Sequence, residues 1–440
     1  MKTKHVKTIA YGKGQLTFTM QHEPLPLEKI EDNNISSKKL SRKDVLQAIR
    51  SPDGTPELHE IIKADDKVIL LVPDATRRAG MNQVVPVLLD ELEAVGASCD
   101  NITLLFATGL HGSQTREQKI FIVGEEVCNR LPNIFDHDAT DENNLVEIGN
   151  IPGVGPLEVN RRVLEADIII CMGSVRFHQI AGFSGGGKII LPGISSRKSV
   201  LNMHSQDFRK GITKSYGGTL TPNPFQQSMQ EAVNILKPHF FINTVVDPYG
   251  DLLDIHAGTF ESVHRKCRES VKRIYGVQVK EKVPFIIVSA GGYPLDVSWF
   301  QTVKAMIHWI RVLEDDGWII VIGECGQKGY ASKPGESNPV EKKPVAQKPT
   351  IDEVEEALKK DFTMERYGLY RIMRDSSKKN IIPVGEMDEA IAQRMNLKIV
   401  KGENATEKLN NAIKMVEAHI GRDYKYYLVK QGGSFMPILY

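Results

Sequence analysis

Five short stretches of the chain carry residues that do chemistry. They are Asp74-Ala-Thr-Arg77-Arg78, Thr108-Gly-Leu-His111, Arg176-Phe-His178, Gly182-Phe-Ser-Gly185-Gly186-Gly187-Lys188, and a later Phe300-Gln301-Thr-Val-Lys304. The fourth has the spacing of a phosphate-cradling loop, but Ile189 stands where that loop needs a hydroxyl for Mg²⁺, and Ser174 to Ala181 separate it from the preceding apolar run. A lysine beside three glycines therefore calls for a chemistry other than nucleoside triphosphate hydrolysis. His111 and His178 are candidate acid–base groups, because imidazole changes charge near neutral pH. Together with His204 they are enough to hold Zn²⁺ with one position open, although no His-Glu-x-x-His pattern accompanies them. Arg77, Gln301 and Lys304 offer charge and hydrogen bonds to a carboxylate, and the last two fall at helical spacing on one face. Plainer uses exist for all of them. Glycines permit tight turns, Asp74 and Arg77 suit a helix cap, and Gln301 and Lys304 suit a solvated helix face.

The elements that must position these residues are short apolar runs alternating with helix-period segments. KVILLVPD (67–74), NITLLFAT (101–108), ADIIICMGSV (166–175), PFIIVSAGG (284–292) and GWIIVIGEC (317–325) read as buried strands. MNQVVPVLLDELEAVG places Val85, Leu88, Leu89 and Leu92 on one helical face and stops at Gly96, and Thr115-x-x-Gln118 is a capping box. Hairpins are predicted at residues 4–20, around IPGVGPLEVN, and at FINTVVDPYGDLLDI, whose Asp-Pro-Tyr-Gly reads as a turn. A helix is expected over roughly Val297 to Asp316. The pattern predicts an α/β protein of two domains with mainly parallel sheets flanked by helices. The first domain spans 1–276, joined by the tail 425–440, and the second spans 284–424, with a Lys/Pro/Glu-rich surface insertion at 328–350. The chemical stretches follow strands, and loops beyond the carboxyl ends of parallel strands form the ligand crevice of such sheets. The active site is expected in the cleft between the domains.

Composition narrows the class. The chain has 440 residues, 41% hydrophobic and 25% charged, with a formal net charge of +1, so no strong global field favours nucleic acid or a membrane surface. Five cysteines without a C-x-x-C pair suit reduced thiols, and neither a signal-like N-terminus nor a membrane-length apolar run is present. A cytoplasmic protein is expected.

The longest motif, FHQIAGFSGGGKIILPGISSRKSVLNMH from Phe177 to His204, resembles the signature of the nickel-pincer-nucleotide lactate racemase family. DATR, ATGLH and GGYP followed by FQTVK match the family's other landmarks in the same order, so the resemblance covers nearly the whole chain. It implies a 2-hydroxyacid racemase or epimerase. It also implies nickel held by a pyridinium-3,5-bisthiocarboxylic acid mononucleotide, bound covalently to Lys188 and supplied by cofactor-biosynthesis enzymes. By motif position the nickel-ligating histidine is His204. Gly185, Gly186 and Gly187 would let the backbone approach the nucleotide, and Asp74 would organise the cofactor or Arg77. His111 and His178 would act as bases for opposite enantiomers, with Arg77, Lys304 and Gln301 on the substrate carboxylate.

Some positions depart from the family pattern. Arg78, Gly112 and Phe300 stand where the family often has proline, arginine and tyrosine, so the resemblance implies a small 2-hydroxy acid without specifying lactate. Arg78 and Arg176 suit either a second carboxylate or a plain surface position. A protein that binds the cofactor or a nucleotide without catalysis is the alternative from another class, with a histidine-ligated zinc hydrolase behind it.

Overall fold

The computed structural model describes residues 5–29, 39–209, 217–218, 220, 223–326, 350–387 and 389–439. The chain divides into a central unit, Glu31–Ile274, and a terminal unit made of Met1–Ile30 with Tyr275–Tyr440. This division differs from the 1–276 and 284–424 expected from the sequence, because both chain ends join the terminal unit. The His5–Tyr11 and Gly14–Met20 hairpin sends Ile9, Leu16, Phe18 and Met20 into a core with Phe285, Ile287, Trp318 and Tyr426. The tail strand Met436–Leu439 pairs in parallel with Gly276–Val279. Burial of the hairpin's apolar alternation, about 1.5–3 kcal/mol per large side chain, draws the first residues there.

The central unit is built on a six-stranded sheet in the order Leu252–Gly258, Phe240–Val246, Ile168–Ser174, Val68–Pro73, Ile102–Ala107, Asn133–Asp136. Every neighbouring pair is parallel except the first, which is the hairpin expected at Asp-Pro-Tyr-Gly. Val68–Pro73 and Ile168–Ser174 are buried along their whole length, which explains their unbroken apolar sequences: helices cover both faces of a parallel sheet. The helix Met81–Ala94 lays Val84, Val85, Leu88, Leu89 and Leu92 on Leu70, Val72, Leu104 and Phe106. Chain order reverses between Val68–Pro73 and Ile168–Ser174, and a crevice beyond the carboxyl ends opens at such a reversal. The stretches holding Asp74, His111 and Arg176–His178 all begin at this edge.

The terminal unit has a four-stranded parallel sheet ordered Asn380–Val384, Leu313–Ile322, Val283–Ser289, Tyr426–Val429. Its first helix, Trp299–Trp309, is shorter than expected from the sequence. A turn at Ile310–Val312 ends it, and the next strand takes over residues up to Ile322, passing through Asp316 at φ 59°. The Lys/Pro/Glu-rich passage 328–350 lies outside the described residues except for Thr350, which caps the helix Ile351–Lys360. Among the described residues no helix is long and apolar enough to cross a membrane.

Candidate active site

At the carboxyl edge of the central sheet, Asp74 and His111 meet. Their strands are parallel neighbours, with Pro73 paired to Ala107, so the loops that follow run side by side. Asp74 is buried, and its Oδ2 accepts a hydrogen bond from Nδ1 of the more exposed His111. Its Oδ1 accepts from the Thr76 amide (3.1 Å) and the Thr76 hydroxyl (2.6 Å). Burial alone would raise the Asp74 carboxyl. The His111 and Thr76 hydrogen bonds and the Arg77 charge outweigh it and hold the group below its ordinary value. A carboxylate can only accept, so the His111 proton sits on Nδ1 and its lone pair on Nε2. Asp74 thus contacts His111 directly, and the charge of Arg77, the residue the sequence pointed to, also bears on it.

The His111 loop is tied down from behind. Gly109 N–H donates to Gly193 O (2.9 Å), and the Thr108 hydroxyl donates to the His137 carbonyl. The buried His137 donates from Nε2 to Ser195 O (3.0 Å) and accepts at Nδ1 from the Asn160 amide (3.3 Å). His178 lies in a two-rung hairpin, Phe177–His178 against Gly182–Phe183. Its Nδ1 accepts from the amides of Ile180 (3.3 Å) and Ala181 (3.0 Å). Arg176 beside it donates through Nη2 to the carbonyl of Arg78 (2.6 Å), joining the His178 hairpin to the Asp74 loop. Arg78 reaches the Tyr249 carbonyl at 3.4 Å and lies over the Phe121 ring. Arg77 is exposed on the same loop.

The Gly185–Gly187 turn is pressed into the protein on three sides. A methyl group at Gly185 would meet Asn243 Oδ1 and Val175 at 2.7 Å, at Gly186 the Phe260 ring at 2.5 Å, and at Gly187 the carbonyl oxygen of Met229 at 2.5 Å. Gly185 and Gly186 also have positive φ, +76° and +53°. The absent side chains therefore make room for the protein's own packing. Asn243 Oδ1 accepts from Gly186 N–H (2.9 Å), and His264 Nε2–H donates to the Ser184 carbonyl (3.0 Å). Neither residue was singled out in the sequence. The signal was there: Asn243 interrupts the apolar run FFINTVV, and a buried polar group in a central strand needs a partner.

Lys188 follows this turn and keeps part of its surface accessible while Gly186, Gly187 and Ile189 around it are buried. His204, on the helix Arg197–Arg209, also keeps some accessible surface although its ring lies deep within the protein, as a group lining a recess does. The ring packs edge-on against Phe225 and donates from Nδ1 to the Val200 carbonyl (2.8 Å), leaving its lone pair on Nε2. Burial, opposed by that carbonyl and reinforced by the nearby Lys188 charge, lowers its pKa to about 4, so the ring is neutral and its nitrogen is a ready soft-metal donor. Among the described residues no group of three His, Cys, Asp or Glu side chains is arranged to hold a metal, so His111, His178 and His204 do not form the zinc site considered from the sequence. One neutral imidazole beside one lysine fits a metal that arrives with its other donors on an amine-anchored organic group.

Gln301 and Lys304 belong to the terminal unit, on the helix Trp299–Trp309, where the Lys304 ammonium donates to the Gln301 carbonyl oxygen. His308 on the same helix is buried and donates from Nδ1 to Gly432 O (3.2 Å), a packing role.

Two family models together cover most of the chain. A family model described as the lactate racemase N-terminal domain matches residues 11–214, and one described as the lactate racemase C-terminal domain matches residues 279–436. The chain is 33% identical over 320 residues to a lactate racemase of Thermoanaerobacterium thermosaccharolyticum, covering 72% of this chain and 74% of that protein. It is 30% identical over 315 residues to a lactate racemase of Lactiplantibacillus plantarum, covering 71% and 73%. The apoprotein structure of the Thermoanaerobacterium thermosaccharolyticum lactate racemase superposes with a TM-score of 0.83 at 27% identity, covering 99% of this chain and 100% of that one. A Thermotoga maritima protein shares the fold, with a TM-score of 0.66 at 18% identity over 92% of this chain and 100% of that one.

The His264 contact generates a pH prediction. Burial, with a further push from the Arg268 charge and against the pull of the Ser184 carbonyl, lowers this histidine from 6.5 to about 4. The unfolded ring takes up a proton as pH falls below 6.5 while the folded ring stays neutral, so stability present above pH 6.5 is lost as the pH approaches about 4. The loss expected from this group is roughly 3 kcal/mol. In urea unfolding between pH 7 and pH 4, His264→Phe is expected to start less stable and to decline more shallowly than the wild type; parallel declines would contradict the assignment.

Proposed function

The chain belongs to the lactate racemase family, and on that premise we propose that this isomerase inverts carbon 2 of a small 2-hydroxy acid with a nickel-pincer nucleotide anchored on Lys188. The observation that carries this reading is the pairing of Lys188 with the neutral, inward-lying His204 in a region without an all-protein metal cluster among the described residues. Lys188 would hold the pyridinium-3,5-bisthiocarboxylic acid mononucleotide through its amine, and His204 Nε2 would complete the nickel's coordination. When bound, the group supplies a hydride acceptor at the substrate carbon.

The remaining work falls to the chain's own side chains. His111 Nε2, oriented and charge-balanced by Asp74, takes the proton from the substrate hydroxyl, as a carboxylate-backed imidazole does in general-base catalysis. His178 acts on the substrate oxygen from its own hairpin. Arg77 binds the substrate carboxylate through charge-assisted hydrogen bonds. Cofactor-biosynthesis enzymes are the protein partners this reading requires, in the cytoplasm, without a nucleic acid or membrane partner. The Asp74–His111 pair favours catalysis over simple cofactor carriage, because a carrier has use for Lys188 and His204 alone.

Two measurements check this. In protein produced together with cofactor-making enzymes, Lys188→Ala is expected to lose the covalent mass adduct, and His204→Ala to keep the adduct while losing nickel. An adduct retained on Lys188→Ala would place the linkage elsewhere. On a panel of lactate, malate, 2-hydroxyglutarate and sugar acids, His111→Ala is expected to slow inversion roughly a hundred- to ten-thousand-fold with cofactor retained. Near-normal turnover in that variant would remove His111 from the mechanism.

A further inference from the structure

Asp74 and His111 stand on two loops of the central unit that a second contact also joins. Three residues beyond His111, the Gln114 side chain crosses back to the other loop, where its Oε1 accepts from the Ala75 N–H at 2.6 Å. At the same amide, Nε2 donates to Asp136 Oδ1 at 3.3 Å. Asp136 ends the strand Asn133–Asp136 and lies opposite Phe106 in the register, so it reaches the same sheet edge as the two loops. Its Oδ2 is 2.8 Å from the Lys119 ammonium. Lys119 projects from the helix Arg116–Val123 and lies over the Phe106 ring. Thr115, directly after Gln114, caps that helix in a box with Gln118, so the chain leaving His111 runs into a fixed end.

The two neighbours of the Gln114 amide fix which way it points. A backbone N–H can only donate, and a carboxylate paired with a lysine can only accept, so the amide oxygen faces Ala75 and the nitrogen faces Asp136. The peptide between Asp74 and Ala75 is then held from both sides. Its N–H goes to Gln114, and its carbonyl accepts from the Arg77 N–H at 3.0 Å. A peptide is planar, so pinning both of its polar groups sets the plane from which the Asp74 side chain departs. That side chain has its Oδ1 taken by Thr76 and its Oδ2 turned to His111 Nδ1. Gln114 thus acts on both members of the pair: it follows His111 closely in the chain and grips the peptide next to Asp74.

From these contacts we propose that Gln114 is the positioning residue of the Asp74–His111 pair, and that Asp136 with Lys119 is the anchor that fixes it. Without the Gln114 amide, the Ala75 N–H loses its acceptor and the peptide that carries Asp74 is released on one side. The carboxylate then no longer holds the His111 ring in one orientation, and a base displaced by a fraction of an ångström loses much of its advantage. None of the three residues of this relay touches substrate. The proposal rests on the racemase reading for its catalytic meaning, and the hold on the His111 ring does not depend on it.

Long-range proton–nitrogen NMR on the full-length protein without cofactor reads which nitrogen of the His111 ring carries its proton. His111→Gln assigns the signals, and Asp74→Ala shows the ring without its partner. The wild type is expected to hold the proton on Nδ1. Gln114→Met keeps the length of the side chain and removes both hydrogen bonds, and is expected to move the His111 signals toward those of Asp74→Ala. In cofactor-loaded enzyme the same variant is expected to lower kcat roughly ten- to a hundred-fold. Asp136→Leu leaves Gln114 without its anchor and is expected to show the same changes, while the double variant loses no more than Gln114→Met alone, as residues acting through one contact do. Gln114 lies on a partly exposed loop, so Gln114→Met leaves the core intact and carries the test by itself. Wild-type His111 signals or wild-type turnover in Gln114→Met would overturn the proposal, and losses that multiply in the double variant would overturn the relay through Asp136. If loaded wild-type enzyme inverts no 2-hydroxy acid, the racemase reading fails, and the NMR comparison still decides whether Gln114 holds His111.

Discussion

The Gly185–Gly187 turn has no room for a single extra methyl group, and the candidate site depends on that close fit. Asn243 and Val175, the Phe260 ring, and the Met229 carbonyl each occupy the space a side chain would need. Protein interiors pack at crystal-like density, so a turn wedged between a strand and two helices has one position available to it. Lys188 comes at the end of that turn, and its amine inherits the placement. The hydrogen bond from Gly186 to Asn243 and that from His264 to the Ser184 carbonyl leave the backbone no alternative register. The same packing runs on to the His178 hairpin, because Ser184 N–H donates to the Arg176 carbonyl and its hydroxyl to Ser174 O.

From there the chain of constraint reaches the acid–base groups. Arg176 holds the Arg78 carbonyl, and the loop so held carries Asp74, which orients His111. His111 and His178 are thus each supported by groups that do not touch substrate in the proposed reaction. Rigid elements with a second layer of hydrogen bonds hold catalytic geometry more tightly than loops alone. A parallel sheet brings these loops to one edge, and strand order reverses between the neighbours Val68–Pro73 and Ile168–Ser174, the position at which such sheets bind ligands.

Much of this was legible in the sequence, and the exceptions share a cause. Unbroken apolar runs such as VILLVP and IIICMGS announce buried parallel strands, and the hairpins and the Thr115–Gln118 capping box follow from local chemistry. Local signals do not say which loops become neighbours. Asp74 and His111 meet because two strands lie side by side, a neighbourhood that no local signal announces. The packing partners of the glycines, Met229, Asn243 and Phe260, lie far along the chain, so no local signal pointed to them. The hairpin at the start of the chain was assigned by proximity in sequence, whereas its buried Phe18 and Met20 belong with Phe285 and Trp318 of the terminal unit.

In the proposed reaction the hydrogen on carbon 2 leaves with its electrons, so that the protein's histidines deal only with the hydroxyl proton. The measurement that tests this most directly uses cofactor-loaded enzyme and a 2-hydroxy acid substrate deuterated at carbon 2 in ordinary water, with the inverted product followed by mass spectrometry over several turnovers. The account predicts inversion with a primary isotope effect and with most of the deuterium retained. Loss of the label to solvent at the rate of inversion would contradict it, and would identify the reaction as proton abstraction.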